Sequence, residues 1–204
     1  MSEAEIERAL PTPTKSAPPH AKAKKRPDDK GAKHGLPPAG SVELRTYSDK
    51  ELADIFGAVP LGEGVSPEAT DLTYEVALET AKGEIKCRLD HTEAPQTAAN
   101  FIALTKGLRA WRDPDTKEVV ERRFYDGLTF HRAIKDFIIQ TGNPGTGGSA
   151  GPGWTLPREQ GLEARYDAPG AMGMVDAGED SHGSQFFITL RAQKSLKGNK
   201  PRQL

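Results

Sequence analysis

Residues 129–143 read TFHRAIKDFIIQTGN. Phe130, Ile134, Phe137, Ile138 and Ile139 give this stretch the character of a buried strand pair, yet Arg132 and Gln140 sit inside it. Burying a guanidinium or an amide costs free energy unless each finds partners. The two polar residues therefore either face water or are aimed at something. Period-two alternation puts Ile138 with Gln140 on one face of DFIIQTG (136–142), and Phe137 with Ile139 on the other. In SQFFITL (184–190) the same period groups Gln185, Phe187 and Thr189 against Phe186, Ile188 and Leu190. Two strands thus each offer an apolar residue and a glutamine two positions apart, with Arg132 on the strand just before. If the three strands are neighbours, one surface gathers Arg132, Ile138, Gln140, Gln185 and Phe187. That is an apolar pocket rimmed by donors, the general form of a ligand site. On pattern alone, surface decoration of a half-exposed sheet fits equally well.

Around this stretch the chain is built of short strands. LTFHRAI, DFIIQTG, GAMGMV and SQFFITL are strand-like, and TYEVAL and GEIKCRLD alternate about a turn at Lys82–Gly83. APQTAANFIALTKG (94–107) is helical, with Pro95 in its first turn and Gly107 as its stop. Its spacing predicts a buried face of Ala98, Phe101, Ile102 and Thr105. Residues 109–123 carry nine charges in fifteen positions and read as a solvated excursion with its turn at Asp113–Pro114–Asp115. The span 141–154 holds six glycines and two prolines. Many short strands, few helices and Gly-rich corners give a mainly β domain, an antiparallel barrel or sandwich, over 71–204. Residues 41–70 read as a linker with a short helix, SDKELADIFG (48–57), capped by Ser48 and stopped at Gly57.

Residues 1–40 differ. They hold seven of the 16 prolines, no aromatic residue, and eight Lys/Arg against five Asp/Glu. Such a segment cannot bury enough apolar surface to offset the entropy of ordering it and is expected to be disordered. The basic run at 20–35 is interrupted by Asp28 and Asp29, which favours a solvated linker over an anion-binding patch. The formal charge of −1 gives no electrostatic case for nucleic acid. Without a run of about 18 apolar residues no membrane span is expected. Cys87 is alone, which excludes an intrachain disulfide and a multi-cysteine zinc cluster. It suits the cytoplasm, with the periplasm an alternative if the true start lies upstream. The glycine run lacks the lysine of a phosphate loop, His131 and His182 have no partners at metal-like spacing, and Ser184 is not in a nucleophile elbow. No metal or cofactor is expected.

FYDGLTFHRAIKDFIIQTGNP (124–144), a Gly-rich link, and GAMGMVDAGEDSHGSQFFITL (170–190) together resemble the cyclophilin family of peptidyl-prolyl cis/trans isomerases. The resemblance covers roughly residues 71–199. It implies a cyclophilin-like closed antiparallel β-barrel with a capping helix and a substrate groove on its outer face. It makes Arg132 the catalytic arginine and places Phe137, Ile138, Gln140, Gln185 and Phe187 in the groove. Leu196 falls at the proline pocket, and Asp176 at a position whose backbone holds substrate. The implied activity is isomerisation of X–Pro bonds during protein folding, by a monomer, on proline-containing peptides or unfolded proteins. The alternative is a module that holds proline segments with little turnover. Departures from the family pattern bear on the pocket. Lys135 replaces a common proline, Ile138 a common methionine, and Val175 a small alanine beside the groove. Ser195 stands where a tryptophan is common, so cyclosporin-like ligands are expected to bind weakly. The family pattern continues beyond SLKGNKP (195–201) for about two strands and a helix; without them the barrel is expected to be incomplete and marginal at its C-terminal side.

Overall fold

The computed structural model describes residues 43–59, 73–145, 151–157, 159, 166–176, 182–193 and 196. The expected tail at 1–40, the connection at 60–70, part of the Gly-rich span and most of SLKGNKP lie outside the described residues.

The described chain is mainly β, with ten strands and two helices. Near the N-terminal side are β1 (Glu43–Leu44) and α1 (Asp49–Gly57), followed by the hairpin β2 (Tyr74–Thr80) and β3 (Gly83–Leu89). α2 (Pro95–Lys106) leads to the short hairpin β4 (Trp111–Arg112) and β5 (Val119–Val120). Then come β6 (Arg132–Ile134), β7 (Ile138–Thr141), β8 (Trp154–Thr155), β9 (Met172–Met174) and β10 (Phe186–Thr189). The largest sheet has the order β6-β7-β10-β9 and is antiparallel throughout. β1 and β8 pair in parallel, and the two hairpins form their own ladders. Among the described residues the ladders are not joined into a continuous ring. They nevertheless share one core, in which Phe101 and Leu104 of α2 meet Trp111, Phe124, Leu89, Met174, Phe186 and Ile188.

Local chemistry explains most of the boundaries. Ser48 caps α1 through a capping box: Glu51 N–H donates to Ser48 Oγ, and Ser48 N–H donates to Glu51 Oε2 at 2.9 Å. Pro95 opens α2, and Gly107 closes it in the left-handed region at φ 68°.

Four expectations are corrected. The β2–β3 turn falls at Ala81–Lys82, and Gly83 begins β3. β6 is only three residues long, since residues 128–131 lie outside any strand ladder. α2 is not buried on one face: Thr97 through Leu104 are all buried, while Thr105 is half-buried. The helix has cover on a second side, since Tyr47 and Ile55 from the segment 43–59 join the same core. Finally, the charged excursion 109–123 is anchored. Trp111 is buried with its ring 4.7 Å from Phe124, and the Arg122 guanidinium lies 5.0 Å over the indole. Its tip stays solvated, with Asp115, Lys117, Glu118, Glu121 and Arg123 exposed, while at its base Arg122 bonds to Asp113 at 2.8 Å.

Candidate functional site

The sheet β6-β7-β10-β9 separates its two faces into two apolar clusters. Ile139, Phe186, Ile188, Met172 and Met174 pack into the main core. On the opposite face Ile138, Phe187 and Tyr166 form a second, smaller cluster, with Phe137, Ala171, Val175 and Leu196 packed against it. Alternation along β7 and β10 produces this division, since neighbouring side chains on a strand point to opposite faces.

Register sets the polar residues on the face of the second cluster. Arg132 is paired with Gln140 across β6–β7, and Gln140 with Phe187 across β7–β10. Arginine, glutamine and phenylalanine therefore stand in one row across three neighbouring strands. Arg132 donates from its NH1 nitrogen to Gln140 Oε1 at 3.3 Å, and Gln140 Nε2 donates to Gln185 Oε1 at 2.9 Å. Gln140 is 6% exposed, so its amide is buried with both ends engaged. Arg132 is exposed at the sheet's edge, tethered on one side and open on the other.

The turn before β7 departs from simple alternation. Asp136 adopts φ 58°, in the left-handed region, which rotates Phe137 onto the second cluster instead of beside Ile139. The period-two assignment of Phe137 to the face of Ile139 is therefore corrected: it packs against the cluster of Ile138, Tyr166 and Phe187. The turn is fixed by Arg191 Nε to Asp136 Oδ1 at 2.8 Å, Gln193 Nε2 to the Asp136 carbonyl at 2.9 Å, and Leu190 N–H to the Phe137 carbonyl at 2.8 Å.

Val175 continues from β9, donates its N–H to the Gln185 carbonyl at 2.8 Å, and stands half-buried against the second cluster. Asp176 follows, also half-buried. Leu196 donates its N–H to the Gln193 carbonyl at 3.0 Å and reaches the same cluster. The structure thus brings together Arg132, Gln140 and Gln185 as a hydrogen-bonded chain and Phe137, Ile138, Val175, Phe187 and Leu196 as an apolar wall. Sequence reasoning missed Tyr166. Its ring is fully buried, 5.5 Å from that of Phe187, and its backbone carbonyl accepts from Gln193 N–H. It lies in a turn-rich stretch with no period to announce it; only its being aromatic marked it.

His131, beside Arg132, has its pKa lowered, first by desolvation and further by the adjacent guanidinium. Ser184 is buried, with its hydroxyl donated to the Gly142 carbonyl at 2.8 Å. That is a structural bond between β7's exit and β10's entry. The closeness of the two segments also requires Gly142: it has φ 86°, and a Cβ there would lie 2.3 Å from the Ser184 carbonyl oxygen.

A family model described as cyclophilin type peptidyl-prolyl cis-trans isomerase/CLD matches residues 75–201. Peptidyl-prolyl cis-trans isomerase B of Streptomyces anulatus is 40% identical over 121 residues, covering 59% of this chain and 69% of that protein. Peptidyl-prolyl cis-trans isomerase A of Mycobacterium tuberculosis is 39% identical over 118 residues, 58% of this chain and 65% of that protein. The chain thus spans about two thirds of the length of these relatives. A crystal structure of a Cryptosporidium parvum cyclophilin type peptidyl-prolyl cis-trans isomerase superposes with a TM-score of 0.54 at 29% identity, over 65% of this chain and 75% of that one. A second crystal structure of that protein, obtained in the presence of the dipeptide Ala-Pro, gives 0.53 at 30% identity, over 64% and 75%.

Proposed function

The chain belongs to the cyclophilin-type peptidyl-prolyl cis-trans isomerase family, and from its site we propose that it accelerates cis/trans exchange of X–Pro bonds in peptides and unfolded proteins. The observation that carries this reading is the chain Arg132–Gln140–Gln185 lying along the apolar wall of Phe187 and Ile138.

Rotation about a peptide C–N bond costs about 18–20 kcal/mol because resonance is lost. For X–Pro both isomers are populated, and exchange takes tens to hundreds of seconds. At the half-rotated state the proline nitrogen becomes pyramidal and regains its lone pair. A donor aimed at that nitrogen stabilises the twisted state more than either planar one, which is the condition for catalysis. Arg132 is the group for this: always charged, with a planar fork of donors, one of which is already spent on Gln140. The remaining donors belong to an exposed side chain and would be available to substrate. Phe137, Ile138, Phe187 and Leu196 would take the proline ring, and the dry wall also favours the less dipolar twisted amide. Gln140, fixed at both ends, orients the guanidinium; Gln185 and the backbone at Val175–Asp176 would hold the flanking peptide. The reaction needs no proton transfer, metal or covalent step.

Turnover is better supported than holding alone by the Arg132–Gln140 bond on the face of the apolar cluster and by the isomerase names of the relatives. Val175 narrows the wall and should shift substrate choice toward small residues beside proline. A cyclosporin-like macrocycle should bind weakly, since Ser195 supplies no indole. The lone cysteine suits a reducing compartment such as the cytoplasm, and the resemblance suits a monomer. The test is NMR exchange between cis and trans resonances of a short X–Pro peptide. Substoichiometric protein should bring exchange from minutes to below a second; unchanged exchange with a folded sample would end the proposal.

A further inference from the structure

The segment 43–59 precedes the family match, which begins at 75, so nothing in the isomerase reading uses it. It is nevertheless tied to the groove. Tyr47 is 3% exposed, and its hydroxyl donates to Asn100 Oδ1 at 2.8 Å. Trp154 Nε1 donates to the same oxygen at 3.0 Å. With two donors on its oxygen, the Asn100 carboxamide has one orientation, and its Nδ2 donates to the Gly183 carbonyl at 2.7 Å. Ser184 is held next: its hydroxyl donates to Gly142, and its carbonyl accepts from Tyr125 OH at 3.0 Å. The following residue is Gln185, which receives Gln140 and, through it, Arg132.

Tyr47 is itself clamped. Its N–H donates to Gln96 Oε1 at 2.6 Å, and its carbonyl accepts from Gln96 Nε2 at 2.8 Å. The Arg109 guanidinium lies 4.4 Å over its ring while bonding to Glu51 of α1. Burial pushes the pKa of its hydroxyl up to about 12 against the lowering pull of the Arg109 guanidinium, so it stays a donor over the whole working range of pH.

We propose that Tyr47 is a positioning residue for the groove: the strap 43–59 fixes the Asn100 carboxamide, and Asn100 fixes the 183–185 segment from which Gln185 meets Gln140 and Arg132. The close approach of Gly142 to Ser184 leaves that segment no slack, so tilting the Gly183 carbonyl displaces Gln185. The kinetic consequence rests on the isomerase reading; the geometric one does not.

Tyr47→Phe in the full chain keeps the ring under Arg109 and removes only the hydroxyl. The side-chain amide resonances of Gln185 and Gln140 should shift. At a temperature where the variant is fully folded, kcat/KM on an X–Pro peptide should fall about two- to tenfold, the worth of one hydrogen bond, mainly through kcat. In a Gln185→Ala background Tyr47→Phe should cost nothing further, because the path it acts through is gone. A purely structural Tyr47 would lower the melting temperature, leave the glutamine amides in place and give equal losses in both backgrounds; either of the last two results overturns the proposal. If wild type itself fails to isomerise, the isomerase reading falls, while the amide shifts still decide for or against positioning.

Discussion

Arg132→Ala isolates the charged donor from everything around it. Arg132 is exposed on β6, the edge strand of its sheet, and among the described residues its side chain bonds to Gln140 at 3.3 Å. Gln140 keeps its 2.9 Å bond to Gln185, and water can enter where the guanidinium was. The substitution should therefore change folding stability by no more than about 0.5 kcal/mol, as for surface positions generally. Its effect on the twisted state is larger. One preorganised donor at developing charge is worth about 2.7–4 kcal/mol, or on the order of 10²–10³ in rate. The exposure of Arg132 puts the expectation at the lower end, about a hundredfold. Arg132→Lys restores the charge without the fork and should remain at least about tenfold impaired. The assay is cis/trans exchange measured by NMR with each variant, beside a fingerprint spectrum that confirms the fold. An alanine variant within twofold of wild type would refute the reasoning, leaving the apolar wall as the whole catalyst.

Other expectations follow from single contacts. Phe187→Leu should raise KM several-fold more than it lowers kcat, because the ring is wall and not donor; kinetics across peptide concentrations decide it. Gly142→Ala should destabilise by about 2 kcal/mol or more, since it adds left-handed strain to a Cβ 2.3 Å from Ser184 O; chemical denaturation reads this, and a neutral result would mean the β7 and β10 ends are not in contact. Glu51 has its pKa lowered to about 2, first by the Ser48 backbone N–H and further by Ser48 Oγ and Arg109. A depressed carboxyl contributes stability above its unfolded pKa and loses it as pH falls, here between about 4.5 and 2; Glu51→Gln should flatten that part of the acid-unfolding curve. Deleting residues 1–40 should leave the melting temperature within a few degrees, because their composition supplies no core.

The site was more legible than the fold around it, for a physical reason. Alternation is a local rule, and β7 and β10 obey it, so Ile138 with Gln140 and Gln185 with Phe187 could be paired from sequence and are found on one face. The rule fails where the backbone leaves the strand region. Asp136 does so at φ 58°, and Phe137 turns to the side that alternation denied it. Tyr166 and Trp111 were hidden by polar company, one in a turn, the other among nine charges, because burial there is decided by distant partners. The segment 43–59 was hardest of all: only α1 was readable, through Ser48 and Glu51.

That last difficulty also explains how a core-forming sequence can carry an arginine and two glutamines without penalty. A polar side chain at a sheet's surface is held in one rotamer only if something behind it refuses to move. Behind Gln185 stand Ser184 and Gly183, whose carbonyls accept from half-buried Tyr125 and buried Asn100, and Trp154 donates in turn to Asn100. Buried polar networks cost least when every member is satisfied. Asn100 comes near this limit only because Tyr47 arrives from outside the family-matched region to give its oxygen a second donor. The polar residues at 132, 140 and 185 are tolerated on the apolar face because the scaffold on the other side of the sheet has already aligned them.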